Sequence, residues 1–321
     1  MDPRGRRSAT LARLASPVLL AVTALLAALF LLPFVSPVVS GARWDEFILA
    51  FDAQRLLDGQ VPYRDFFNFI PPGAFYVLAG LFTLVGRGSL TAARYAGLAV
   101  ALANGALLLA LLERAGWRRA QAAGMALLYP MALFPFWPVF SHHWLVHAAC
   151  FAFLLLLPPG GVRPVLQSAL LGLLAGLAGM VLQTEGVYLA LLGGAVILLA
   201  CPGHEGARRL AAFGLGAAGA IAAWLGPLVA LGAGREFVRD VILWPGRNYS
   251  RPGSDNARLL LEDVPDRLQA LWGGALQPSQ GWPHGLAVLA GTALYASLLA
   301  AVAALPVLAA WALARALRRK R

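Results

Sequence analysis

Asp45 and Glu46 are adjacent carboxylates in a chain that is only 13% charged, and they follow a long apolar run. Beside Trp44, such an acid can serve as a general base toward a hydroxyl or amine. It can also help to hold a divalent cation through oxygen. A plainer account is the solvated start of a helix, where acids suit the positive helix end. Further along, Ser141-His142-His143-Trp144 interrupts another apolar stretch. The imidazoles can shuttle a proton or bind a metal, or they can be interfacial polar groups beside a belt tryptophan. His147 follows His143 by four residues and shares its helical face, but no third ligand has matching spacing.

Glu185 is an isolated acid between apolar segments, flanked by Gln183 and Gly186. An ionisable group there is costly to bury and marks a candidate site; an outer turn with a snorkelling acid is the simpler reading. Gln183 is a hydrogen-bond partner for a sugar or an acceptor. The fourth landmark is Trp244-Pro245-Gly246-Arg247-Asn248-Tyr249-Ser250-Arg251-Pro252-Gly253. Its arginines suit phosphate and its aromatics suit sugar faces, although an irregular outer loop would have similar composition.

The elements that must position these groups are membrane helices. The 321 residues are 60% hydrophobic, with mean hydropathy +0.70, more apolar surface than a soluble protein of this size hides. The net charge of +11 comes from arginine, with Lys320 the only lysine. The arginines fall in short runs between apolar segments, which is how topology signals look, so no nucleic-acid partner is expected. Cys150 and Cys201 lack a CxxC spacing, which argues against a disulfide framework or a zinc knuckle. No dinucleotide fingerprint, P-loop, HExxH or hydrolase triad pattern is present.

The apolar segments are 15–39, 91–112, 120–140, 144–157, 165–182, 187–200, 210–231 and 286–313. The first follows Arg4, Arg6, Arg7 and Arg13 and is too long for a cleaved signal, so it is read as an uncleaved span. Residues 72–85 are ambiguous. If they do not cross, every piece on the side of both termini carries positive charge, as charge bias favours. The expected fold is all-α and polytopic, with about eight transmembrane helices and interfacial helices in the first outer loop. It would be one integral-membrane domain over 1–321, in the inner membrane, with both termini cytoplasmic. The outer pieces are then 41–90, the turns at 141–143 and 183–186, and the long loop 232–285, in which 259–271 suits an amphipathic surface helix. Residues 315–321 form a basic inner tail. The Gly and Ala residues of 172–179 and 213–223 suit helix packing.

Asp45-Glu46, Leu56-Leu57-Asp58-Gly59-Gln60-Val61-Pro62-Tyr63, Pro71-Pro72-Gly73-Ala74-Phe75-Tyr76, Leu84-Val85-Gly86 and Ala93-Arg94-Tyr95 resemble the first outer loop of the GT-C glycosyltransferases. The likeness is to the protein O-mannosyltransferase and aminoarabinose-transferase type, and it covers roughly the first third of the chain. The resemblance implies an enzyme that takes a sugar from a polyprenyl-phosphate donor on the outer leaflet and passes it to an acceptor glycan, lipid or protein. Asp45 falls on the family's first-loop acid, a catalytic base or metal-side carboxylate, and Glu46 on its common neighbour. Ile70 stands where relatives often carry a phosphate-binding lysine, which leaves Arg64 as the nearest replacement. The expected catalytic set is Asp45, Glu46, His142, His143 and Glu185. Arg64, Tyr63, Gln183, Arg247, Tyr249 and Arg251 are expected to hold the donor. A divalent cation, Mg²⁺ or Mn²⁺, is expected on Asp45, His143 and Glu185. The rival functions are a transporter or flippase for a lipid-linked saccharide, which favours charges at the bilayer midplane, and a non-catalytic membrane subunit of a glycosyltransferase complex.

Overall fold

Among the described residues every regular element is a helix, as the apolar periodicity demands. A computed structural model describes residues 25, 27–36, 44–135, 137–157, 165–201 and 203–248. Residues up to Gly246 form one compact unit; a second begins at Arg247, and of it only Arg247 and Asn248 are described. The expected last span at 286–313, the surface helix at 259–271 and the basic tail lie outside the described residues, as does much of the first span.

The helices are α1 (Trp44–Leu57), α2 (Gly73–Val85), α3 (Leu90–Arg114), α4 (Arg119–Leu133), α5 (His142–Leu156), α6 (Val165–Gly179), α7 (Gln183–Ala200) and α8 (His204–Ala230). Three of them, α3, α7 and α8, are long and apolar enough to cross a membrane. Their outer faces agree with that: Leu199 of α7 is 82% exposed and Leu215 of α8 is 75% exposed, which water would disfavour and lipid would not.

The boundaries differ from the sequence expectation in instructive places. The segment expected over 120–140 stops being helical at Leu133. Pro135 and Pro138 follow, and proline removes a backbone donor and clashes with the preceding turn. Residues 183–186 are the first turn of α7 instead of a connecting turn; the connection is 180–182. The described beginning of the long loop is helical, with Gly234–Phe237, a π-helical stretch Val238–Leu243 and Trp244–Asn248.

Small residues let α6 and α8 run parallel at close range, as their composition suggested. A methyl group on Gly176 would stand 2.6 Å from the carbonyl oxygen of Ala217, and Gly172 faces Phe213 in the same way one turn earlier. Helix α2 buries Phe75, Leu78 and Phe82 against Leu49 and Ala53 of α1. At 13 residues α2 reaches only ~20 Å, short of a ~30 Å hydrocarbon core. It starts against the 180–182 turn, where the Gly73 N–H donates to the Met180 oxygen at 2.7 Å. Just past its other end, Arg87 pairs with Asp58 of the first loop at 2.7 Å. Both ends of α2 therefore contact residues from one end of the bundle.

Candidate functional site

That end collects the polar landmarks. Asp45 lies in the first turn of α1 and is half-buried. Ser141 caps α5, its hydroxyl accepting from the His143 N–H at 3.2 Å, so that the helix begins at His142. The cap sets both imidazoles beside α1. One ligand atom from each of Asp45, His142 and His143 lies within 4.8 Å of the other two. The His142 and His143 rings are 4.2 Å apart between centroids. Burial raises the affinity of the Asp45 carboxylate for a proton, and the charge of His143 works in the opposite direction. His142 is only 6% exposed, and its Nδ1 is buried without a hydrogen-bond partner.

Glu46 points the other way. Its two oxygens accept from Nε and Nη2 of Arg94, each at 2.6 Å, and both side chains are about 1% exposed. The pair anchors α1 on α3 and so fixes where Asp45 stands. Arg94 was part of the first-loop likeness, but its partner lies 48 residues earlier in the chain.

Glu185 sits in the first turn of α7, where the positive helix end suits an acid. Its carboxylate accepts from the Thr184 hydroxyl. It is not among the three groups that converge at Asp45. Gln183 donates to the Val241 carbonyl at 3.3 Å, while its own side-chain oxygen is buried and unpartnered. The 180–182 turn also receives the Pro71-Pro72-Gly73 corner. A methyl group on Gly73 would stand 2.7 Å from the Met180 oxygen, so only glycine allows this approach.

Arg64 is exposed and grips Asp65 through Nε at 2.8 Å and Nη2 at 2.9 Å, while Nη1 donates to the Leu231 carbonyl at 3.0 Å. These contacts use three of its five N–H groups. Arg64 and the Val61 N–H hold the Asp65 carboxyl at about 2, well below the usual range. Leu231 also lines an open apolar cleft of about 540 Å³, together with Leu56, Val61, Pro62, Tyr76 and Ala79. Tyr63 is buried at 2% exposure, with its hydroxyl donating to the Ile70 oxygen at 2.9 Å and its ring edge-on to Phe237. Its φ of 70° is unusual for a non-glycine residue. Arg247 is exposed in Trp244–Asn248, and Tyr249 and Arg251 lie outside the described residues.

Two groups escaped the sequence reading. Asp52 is buried, accepts from Asn68, and is pushed up to about 6 by burial. Asn68 in turn accepts from the Ile70 N–H at 2.7 Å, so this pair ties the loop before Pro71 to α1. The signal was present: Asp52 follows Asp45 by seven residues, two helical turns, on the same face of α1. The second is Asp240, 1% exposed, which takes Nε of Arg239 at 2.6 Å.

The opposite end of the bundle carries the arginine turns. Arg119 pairs with Glu113 at 3.3 Å, Arg209 pairs with Glu205 at 2.7 Å, and Arg114 reaches the Leu155 carbonyl. No family model matches this chain, and neither a curated protein nor a solved structure matches it.

Proposed function

We propose that this chain is a membrane glycosyltransferase of the GT-C kind, which moves a sugar from a polyprenyl-phosphate donor to an acceptor on the outer face of the bacterial inner membrane. The observation that carries the reading is the meeting of Asp45 with His142 and His143 at one end of an apolar bundle. The Gln183–Glu185 turn of α7 is tied to the same end through Gly73 and Met180. The short arginine turns lie at the other end, and positive charge favours the cytoplasmic side, which supports reading the Asp45 end as the outer one. In this reading about eight segments cross and both termini are cytoplasmic.

The chemistry follows from the groups. An acceptor hydroxyl or amine attacks the anomeric carbon, the bond to the phosphate oxygen breaks, and Asp45 takes the acceptor's proton. Polyprenyl phosphate is a good leaving group, so positioning and charge neutralisation are the main tasks. Arg64 stands beside Leu231 at the edge of the apolar cleft, a fitting arrangement for a phosphate on an isoprenoid chain. Arg247, Tyr249 and Arg251 stay candidate donor-binding residues by type, a guanidinium suiting phosphate and a phenol ring a sugar face. Tyr63 shapes the loop wall, and Gln183 retains a free acceptor for a sugar hydroxyl. A divalent cation at the same end would offset phosphate charge.

The test is a transfer assay. Purified protein is given a radiolabelled polyprenyl-phosphate sugar and cell-envelope acceptors. Label reaching the acceptor supports the reading. Release of no label, across donors that differ in sugar, contradicts it.

A further inference from the structure

We propose that Asp45, His142 and His143 bind one transition-metal ion of the nitrogen-preferring class, with Zn²⁺ or Co²⁺ favoured over Mg²⁺, and leave a coordination position open. Neighbouring residues at the start of a helix diverge by about 100°, so two adjacent imidazoles and a carboxylate from another helix do not meet by default. Here they do. Ligand atoms on a tetrahedral ion with bonds of ~2.0–2.1 Å lie roughly 3.3 Å apart. The observed limit of 4.8 Å lies within about 1.5 Å of that spacing.

His142 supplies the second, independent observation. The residue is buried to 6% exposure, and its Nδ1 has no partner. A buried ring nitrogen left unpaired is costly, and either a metal or a donor must offset that cost. Among the described residues no donor is placed to do so.

The supports are stiff. Ser141 fixes the start of α5 through the His143 N–H, and the Glu46–Arg94 pair holds the first turn of α1. Rigid backing of this sort is what distinguishes a ligand set from a chance cluster. Two imidazoles with one carboxylate match the donor preference of zinc and its neighbours, whereas Mg²⁺ requires oxygen and octahedral geometry. Three protein ligands leave a fourth position vacant, the arrangement of a catalytic ion and not of a structural one. A phosphate oxygen would fill that position, while the Asp45 oxygen that is not on the ion stays available for the acceptor's proton. This last role rests on the transferase reading; the metal site itself does not. Glu185 stands outside the set, so the site differs from an Asp45–His143–Glu185 arrangement.

The experiment uses the full chain without a polyhistidine tag, in detergent, stripped with a chelator. Zn²⁺, Co²⁺ and Mg²⁺ are titrated separately, and metal per chain is measured by mass spectrometry, with the Co²⁺ visible spectrum as a reporter of geometry. One Zn²⁺ or Co²⁺ per chain is expected, with a tetrahedral Co²⁺ spectrum and no displacement by excess Mg²⁺. Affinity should fall more than about tenfold in Asp45→Asn and in His143→Ala. Both positions are at least partly exposed, so these variants keep the test valid if buried His142→Ala does not fold. Glu185→Gln should bind as wild type does. Absence of stoichiometric binding, or affinity unchanged in both Asp45→Asn and His143→Ala, would overturn the proposal. Bound zinc without sugar transfer leaves the site standing and removes the transferase reading. Transfer by protein that binds no zinc does the reverse.

Discussion

Arg94 and Glu46 face each other with two hydrogen bonds of 2.6 Å and almost no exposure. Glu46 precedes Phe47 and follows Asp45, so the pair pins the helix turn that presents the candidate catalytic acid. Removing one partner leaves a buried charge uncompensated, which costs about 3–5 kcal/mol. Glu46→Gln and Arg94→Met should each lower the melting temperature sharply in detergent. The double replacement Glu46→Leu with Arg94→Met should lose much less than the two single effects combined. A thermal-shift cycle across the four proteins checks this; simple additivity would contradict it.

Gly73 lies against the Met180 carbonyl with no room for a side chain. Gly73→Ala should cost about 1–3 kcal/mol through the forced shift. Because the strain falls where the first loop docks on the 180–182 turn, limited proteolysis should open the loop before Pro71 earlier than in wild type. Equal proteolysis rates would show that the docking is not tight.

Asp52 gives a pH signature. Its folded pKa of about 6 lies above the ordinary carboxylate value of 3.8, because burial opposes the charge. The folded protein therefore takes up the proton first as pH falls. Stability should rise from pH 7 toward pH 4, with most of the change between 6 and 4, and be lost again as pH rises through 6. The gap corresponds to about 3 kcal/mol at most. Asp52→Asn keeps an acceptor for Asn68, so it should raise the melting temperature at pH 7.5 and flatten this dependence. A variant less stable than wild type at pH 7.5 would show that the charge is needed.

Sidedness is open to labelling. In a Cys150→Ala, Cys201→Ala background, single cysteines at positions 143 and 185 should react with an impermeant maleimide added to intact spheroplasts. Cysteines at 118 and 205 should react only after permeabilisation. Labelling of 143 and 205 from the same side would break the assignment of the two bundle ends.

The sequence made the helices legible because each needs only an apolar run and a local stop, and three of the described ones are long and apolar enough to cross a membrane. It also showed the α2 start, since Pro71-Pro72 has few other uses, and the glycine faces of α6 and α8. Contacts that join distant residues were not legible. Glu46 is next to Asp45 in the chain and reads as its helper, but its partner is on another helix. Tyr63 reads as a donor-binding residue, yet it is buried and its hydroxyl is committed to Ile70. His142 and His143 looked interchangeable; the fold buries the first and exposes the second. Asp52 was passed over because its one signal, the seven-residue spacing from Asp45, does not reveal that the fold buries it against Asn68.

The central claim is that Asp45 works on a sugar transferred from a polyprenyl phosphate. The most direct measurement is the initial rate of label transfer by wild type, Asp45→Asn and Asp52→Asn, each purified as a folded, monodisperse protein. The account predicts that Asp45→Asn loses at least about 100-fold, in line with removal of a general base, while Asp52→Asn stays within a few-fold of wild type. Transfer by Asp45→Asn at the wild-type rate would contradict it.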